Sequence, residues 1–152
     1  MRSLKKMLIV VVLFVPLIAV AQTSLIDLIK DSDIRDELNN LHQEMCSCIA
    51  FFSTGLEAVK RKGASDEALE STQEARAILA EVAFLLHKEE ITKARLELEM
   101  NQLVNVEMRD DFANFSILLL KYGASCKELT ETVREKVVDL LTEAKEKGLI
   151  SE

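Results

Sequence analysis

The chain has 152 residues, of which 49% are hydrophobic and 30% are charged, and 26 acidic residues outweigh 19 basic ones to give a net charge of −7. This composition excludes a disordered polar tail, a collagen and a multi-span membrane protein. The acidic balance argues against nucleic-acid binding, which needs a basic face, and four glycines with one proline leave few turns for a β-sandwich.

The N-terminal segment is organised like an export signal. Three basic residues precede an uncharged and almost entirely apolar stretch over residues 7–18, and Ala19-Val20-Ala21 follows as a cleavage motif. The apolar stretch is shorter than the roughly 20 residues that span a bilayer. We therefore predict a signal peptide over residues 1–21 and one mature domain over residues 22–152, with an uncleaved membrane anchor as the alternative. The cleaved protein is expected in the periplasm or outside the cell, without a membrane contact.

The first part of the mature sequence predicts a long helix. Apolar residues recur every three or four positions over residues 31–62, and the cations of residues 60–62 followed by Gly63 indicate where that helix ends. A second helix is expected to begin after Ser65, which is a suitable N-cap. The short amphipathic segment Ser24–Lys30 is expected to cap one end of a bundle, with a partner or membrane contact as the alternative.

The C-terminal part repeats these boundary signals. Gly123-Ala124-Ser125 repeats residues 63–65, and Ser125 with Glu128 can form a capping box, so we predict the last helix over residues 126–147. Gly148 would end it in a Schellman motif. Residues 112–120 are apolar nearly all round and are expected to form the most buried helix.

The cysteines constrain the topology. In an exported protein, three cysteines predict one disulfide and one unpaired thiol. Cys46 and Cys48 leave a helix about 200° apart, so they cannot bond to each other. Cys48 and Cys126 each lie on an apolar stripe, which favours a Cys48–Cys126 disulfide over the alternative Cys46–Cys126.

The position of one further turn follows from this disulfide. Residues 64–122 contain no Gly or Pro, and a single helix of that length would span about 88 Å, so the chain must turn within them. Residues 87–90 and residues 101–111 are the two candidates. The disulfide requires Cys126 to lie at the same height along the bundle as Cys48. In straight antiparallel helices this places the turn near residue 102, which favours residues 101–111. The predicted fold is an all-α antiparallel bundle of about four helices, stapled by one disulfide.

Two adjacent aromatic residues shortly after Cys48 form part of a pattern that is known from other proteins. Cys48-Ile49-Ala50-Phe51-Phe52, followed far downstream by Tyr122 and Cys126, resembles a C-x-x-[FY]-[FY] … Y-x-x-x-C pattern of small exported bacterial all-helical proteins of unassigned function. The resemblance covers roughly residues 38–130 and implies the same disulfide and an all-helical fold. It implies no activity, and Cys46 departs from the pattern.

Catalytic and cofactor motifs are missing from the sequence. It contains no H-x-x-x-H, E-x-x-H, C-x-x-C-H, G-x-S-x-G or P-loop motif, so we expect neither an enzyme nor a bound cofactor. The expected function is a non-enzymatic one in the bacterial envelope, either binding of a protein partner that the sequence does not identify or a structural role.

The alternative function uses the unpaired cysteine. His42, Met45 and Cys46 offer imidazole, thioether and thiol groups that suit Cu(I), or Cys46 could act in thiol redox chemistry. Cys46 shares a helix face with polar residues that include His42. We therefore expect Cys46 to be at least partly exposed and to link homodimers, with a buried packing role as the alternative.

Overall fold

The computed structural model describes residues 24–63 and 65–150, so the predicted signal peptide lies outside the described residues. In this part of the chain there are four α-helices and no strand: α1 (Ser32–Arg61), α2 (Asp66–Leu86), α3 (Glu89–Asn101) and α4 (Phe115–Glu146). A π-helical segment, Gln102–Glu107, continues α3, and short 3₁₀ turns at Ile26–Leu28 and Phe112–Asn114 precede α1 and α4. The predicted all-α bundle is confirmed. None of these helices is long and apolar enough to cross a bilayer.

Helix α1 ends where its basic last turn and Gly63 predict, and the structure adds an N-cap at Asp31. The Asp31 carboxylate accepts hydrogen bonds from the backbone N–H groups of Asp33 and Ile34, both at 3.0 Å. Gly63 follows the basic last turn with a φ of +70°, a left-handed conformation that glycine adopts without steric cost. Ser65 then caps α2 by accepting from the backbone N–H of Ala68.

The chain reverses direction between each pair of successive helices. Thr92 contacts His42 and Met100 contacts Thr54, so α3 runs parallel to α1. Phe115 stacks on Phe51 and Cys126 is bonded to Cys48, so α4 runs antiparallel to α1. Helix α2 also runs antiparallel to α1, because it begins beside the end of α1 and leads to His87, which contacts Asn39. The result is an up-down-up-down bundle.

Both candidate turns between residues 64 and 122 are present. The predicted turn is confirmed at Met108–Asp111, but the preference for it over residues 87–90 was wrong, because the chain also reverses at His87 and Lys88. The disulfide could not exclude the first reversal. Short helices with two reversals bring Cys126 level with Cys48 just as one long helix with a single reversal does.

The reversal before α4 is built without glycine. Arg109 and Asp110 have φ values of 54° and 60°, which place two successive non-glycine residues in the left-handed region. Side chains hold this turn: the Asp111 carboxylate accepts from the backbone N–H of Ala113 at 2.9 Å, and Asn114 Nδ2 donates to the carbonyl of Met108 at 3.0 Å.

Helix α4 is one continuous helix, which overturns two predictions. The predicted boundary at residues 123–125 was wrong: Gly123 is helical, and the Ser125 hydroxyl donates to the carbonyl of Tyr122 instead of capping a new helix. The expected burial of residues 112–120 was also wrong, because among them only Leu118 is buried. The predicted Schellman end is confirmed by a φ of +65° at Gly148 and a hydrogen bond from Leu149 N to the Ala144 carbonyl.

The core lies along the inner face of α1, and the predicted disulfide crosses it. Cys48 and Cys126 are bonded, with their Cα atoms 5.3 Å apart. One turn further along α1, a cluster of aromatic rings forms around Phe51 and includes Phe52, Phe115 and Tyr122. Gly55 permits the close approach of α4, since a Cβ there would lie 2.9 Å from Phe115 Cζ.

The segment before α1 closes the end of the bundle at which α1 begins and α4 ends. Ile26 and Ile29 are almost fully buried, and Ile29 forms an isolated antiparallel bridge with Ile150. The backbone N–H of Lys30 also donates to the Leu149 carbonyl at 3.0 Å. These contacts join the beginning and the end of the described chain, as the predicted packing of Ser24–Lys30 as an end cap requires.

Candidate functional site

The three candidate metal ligands lie inside the protein. His42, Met45 and Cys46 have no measurable exposure, and Cys46 is an unpaired thiol. The expected partial exposure of Cys46 was therefore wrong. Because of the reversal at His87, α3 packs against the polar face of α1 on which Cys46 and His42 lie.

Two hydrogen bonds to α3 fix the His42 imidazole. Arg95 donates from a terminal guanidinium nitrogen to Nδ1 at 2.8 Å, and Nε2 lies 3.0 Å from Thr92 Oγ1. A guanidinium can only donate, so Nδ1 carries a lone pair. The neutral ring is then protonated at Nε2, which donates to Thr92.

The second histidine, His87, lies beside the first. The two rings pack edge to face with centroids 4.8 Å apart. Asn39 donates from Nδ2 to the carbonyl of Arg35, so its Oδ1 accepts from His87 Nε2 at 3.0 Å. His87 Nδ1 is buried and has no hydrogen-bond partner within the described structure. Asn39, His42, Cys46, His87, Thr92 and Arg95 together are called the His42 cluster below.

The electrostatics of the cluster favour its neutral groups. Burial, with smaller contributions from His87 and Arg95, lowers the pKa of His42 to about 4. Burial also lowers the pKa of His87, and Arg95 lowers it further. Burial raises the pKa of the Cys46 thiol to about 11, despite the nearby guanidinium. At neutral pH the cluster therefore holds two neutral imidazoles, a neutral thiol and one cation.

This arrangement offers little to a metal ion. Cys46 Sγ lies 3.9 Å from Nε2 and 4.0 Å from Nδ1 of His42, but both ring nitrogens already have partners. The guanidinium of Arg95 would repel a cation at the same place. Within the described ranges, no group of three His, Cys, Asp or Glu side chains is placed to hold a metal. The geometry instead makes the His42 cluster a polar contact that attaches α3 to α1.

A shallow surface groove of about 390 Å³ lies between α1 and α4. Glu37, Glu44 and Asp139 line it together with the single cation Lys136. Excess negative charge disfavours anionic ligands here, and the groove holds no cysteine or histidine that would supply nucleophilic or soft-metal chemistry.

The most exposed large apolar side chain of the described residues, Leu120, lies on the first half of α4 beside two further exposed apolar residues. Leu120 is 89% exposed, and Ile117 and Leu119 are about half exposed. Between residues 112 and 126 the only charged residue is Lys121, whose Nζ lies 2.9 Å from Glu107 Oε1. Tyr122 also donates its hydroxyl proton to Glu107, at 2.7 Å. Hydrogen bonds with Tyr122 and Glu107 raise the pKa of Lys121, so this lysine stays cationic and tied to the π segment.

The exposed residues of α4 form a stripe opposite the core. Leu120 leaves the helix about 200° from the buried Leu118, so it faces directly away from α1. Ile117, Leu120 and Ala124 follow one another at helical spacing on that side, Ala113 precedes them in the 3₁₀ turn before α4, and all four are exposed. These four residues are called the outward stripe. The sequence contains this spacing, but because residues 112–120 were predicted to be buried, no exposed stripe was predicted there.

No protein family, curated protein or solved structure matches this chain. The resemblance to small exported bacterial helical proteins therefore stays a prediction.

Proposed function

We propose that this protein is an exported, non-enzymatic binding protein that contacts a protein partner through the outward stripe of α4. The observation that carries the proposal is the exposure of Leu120, at 89%, within an apolar surface that includes Ile117. Contiguous apolar surface on a small protein is typical of interaction sites, because leaving it in water is unfavourable.

The support beneath the stripe favours a binding role. The Cys48–Cys126 disulfide joins α1 to α4 one to two turns beyond Leu120, and Phe115 is packed over Gly55 just before it. Because α4 is fixed to α1 both before and after Leu120 along the chain, the exposed side chains between these contacts have a fixed arrangement. Binding then requires little ordering of the chain, which limits the entropic cost of association.

Export is supported by two independent features. Residues 1–21 carry the basic, apolar and small-residue regions of a signal peptide. The mature chain contains a disulfide, a bond that persists mainly in oxidising compartments outside the cytosol. We expect the exported protein to begin at Gln22, and its intact mass tests this; retention of residues 1–21 would support the membrane anchor instead.

Site-specific photo-crosslinking in the producing cells tests the binding role. A photoreactive residue in place of Leu120 is expected to give a protein adduct, whereas the same residue in place of Leu85 is not. Leu85 is a matched control because it is 62% exposed on α2, away from the outward stripe. Equal adducts at both positions, or none at Leu120, would contradict the proposal.

A further inference from the structure

We propose that mild acid releases α3 from α1 by local unfolding and thereby exposes the Cys46 thiol. The release acts through the two histidines of the His42 cluster and does not involve the outward stripe of α4. Two observations carry it: the atoms at which each imidazole must take a second proton, and the few apolar contacts that hold α3.

Each imidazole can take its second proton only at an atom that has no hydrogen-bond acceptor beside it. On His42 that atom is Nδ1, which accepts from the Arg95 guanidinium at 2.8 Å. A proton there ends this hydrogen bond and brings two cations into contact. On His87 the atom is also Nδ1, because Nε2 donates to Asn39, and this Nδ1 is buried without a partner in the described structure. A charged imidazole is therefore unfavourable at both positions while α3 is in place.

The other charged groups around the two rings do not compensate for such a charge. The Asp27 carboxylate favours a proton on His87, but it is exposed and lies 3.9 Å from Lys88 Nζ, which disfavours that proton. The Glu99 carboxylate of α3 acts on the Cys46 thiol, whose ionisation it disfavours. The remaining charge of the cluster is its guanidinium. Separation of α3 carries that cation away from the rings and lets water solvate them.

Helix α3 is the helix that the apolar core holds least. Thr92 is its only buried residue, and Leu96 and Met100 are half-buried against the core, whereas α2 buries four residues and α4 buries six. Leu86 and Leu103, on either side of α3, are fully buried and keep the chain attached at both ends. Local unfolding of α3 therefore exposes little apolar surface and leaves the other three helices packed.

The direction of the pH effect follows from the two environments of His42. Burial lowers its pKa to about 4 when α3 is in place, and the pKa returns towards its ordinary value of 6.5 when α3 leaves. Between these pH values the open form binds a proton that the closed form does not, so acid favours opening. From His42 alone, the ratio of open to closed protein should rise about 20-fold between pH 7 and pH 5. His87, whose pKa burial also lowers, adds to this rise.

Hydrogen exchange of the mature protein, measured by mass spectrometry of its peptides, tests the release of α3. At each pH the protection factors of α3 should be lower than those of residues 126–140 in α4, because α3 opens while α4 stays folded. Between pH 7 and pH 5 the protection of α3 should fall about 20-fold or more after correction for the intrinsic effect of pH. Equal protection in the two helices would mean that α3 opens only when the whole protein unfolds, which would overturn the inference.

Replacing the histidines tests whether they cause the response. In the double variant His42→Gln/His87→Gln neither side chain titrates, so the protection of α3 should no longer depend on pH, and His42→Gln alone should already reduce the dependence. Glu89→Gln is the matched control, since it removes a titrating carboxylate at the start of α3 and should keep the full response. A response that persists without the histidines would assign it to the carboxylates of α3 and contradict the proposal.

The reactivity of Cys46 tests whether α3 is the helix that covers it. Cys46 is the free thiol of the described chain, and an aromatic disulfide reagent that reacts with thiols in acid can label it. Dividing the labelling rate by that of the denatured protein at the same pH removes the effect of thiolate formation. This ratio should rise about 20-fold between pH 7 and pH 5, in parallel with the loss of α3 protection. A constant ratio while α3 loses protection would show that Cys46 stays covered, against the proposal.

Discussion

Burial of the His42 imidazole beside a guanidinium links folding to proton binding. In the folded protein the pKa of His42 is lowered to about 4, whereas an exposed histidine in the unfolded chain titrates near its ordinary value of 6.5. Between these pH values the unfolded chain binds a proton that the folded protein does not. The stabilisation is therefore complete above about pH 6.5 and is lost as the pH falls towards 4.

We predict that replacing His42 removes part of this acid sensitivity. The free energy of unfolding of the wild-type protein should fall by about 3 kcal/mol more than that of His42→Gln between pH 7 and pH 4. Denaturant unfolding of the two proteins across this range measures the difference. Glutamine keeps a hydrogen-bonding side chain beside Thr92 and Arg95 but does not titrate. Parallel pH profiles would show that His42 is protonated without cost in the folded state.

The unpaired cysteine should be inert in the native protein. Cys46 is fully buried, and burial raises its pKa to about 11, so both access and thiolate formation are suppressed. We expect a thiol reagent to label the protein only when it is unfolded, at a single site. Labelling of the native protein at the rate of a free thiol would contradict the burial of Cys46. Disulfide-linked dimers without reductant would support the exposed thiol that the sequence suggested.

At the scale of the helices, two glycines in α4 and at its end should respond oppositely to alanine. Gly148 has a φ of +65° after the last turn, so Gly148→Ala should lower the free energy of unfolding by about 1 kcal/mol. Gly123 has helical backbone angles, and an added Cβ meets only Leu119 Cδ1 at 3.3 Å, the end of an exposed and flexible side chain. Gly123→Ala should therefore be neutral or stabilising, by up to about 1 kcal/mol. Thermal unfolding compares both variants, and equal effects would refute the assignment of these two conformations.

The helices that follow strong local signals were predictable from the sequence. The ends of α1 are determined by Asp31 and Gly63, and the apolar stripes carrying Cys48 and Cys126 sufficed to predict the disulfide. The reversal at His87 was not predictable in the same way, because it contains neither Gly nor Pro and the N-cap of α3 makes no side-chain hydrogen bond. A bundle without this reversal has no helix over the polar face of α1, so it predicts an exposed Cys46. In the structure α3 covers Cys46.

The exposure of the first half of α4 was not predictable for a different reason. An apolar run such as residues 112–120 is consistent with a buried helix, but α1 can cover only one side of it. Leu118 faces α1, and Leu120 two positions later faces the opposite way. Hydrophobicity alone cannot distinguish a side chain that packs in its own core from one that packs against another molecule.

At the scale of the whole molecule, helices α3 and α4 are held to α1 by different kinds of contact. Helix α3 has Thr92 as its only buried residue, and the His42 cluster joins it to α1 together with the half-buried Leu96 and Met100, which pack against the core. Helix α4 instead places six buried residues along its length and is bonded covalently to α1 through Cys126. The molecule therefore combines a stapled α1–α4 pair, which carries the outward stripe, with a helix α3 that contacts α1 through both apolar side chains and the neutral histidine His42.

Removing the disulfide should consequently destabilise the protein without dismantling its helices. The bond joins residues with a sequence separation of 78, so most of its effect comes from restricting the unfolded chain. Replacing both Cys48 and Cys126 by alanine should therefore lower the free energy of unfolding by about 2–5 kcal/mol. The helical content measured by circular dichroism before unfolding should not change, because Leu118, Leu129 and the aromatic cluster still hold α4 against α1. Cys46→Ala is the control for the loss of sulfur atoms in the core and should leave the disulfide intact. A large loss of helix in the double variant would mean that the staple, rather than the apolar core, keeps α4 in place.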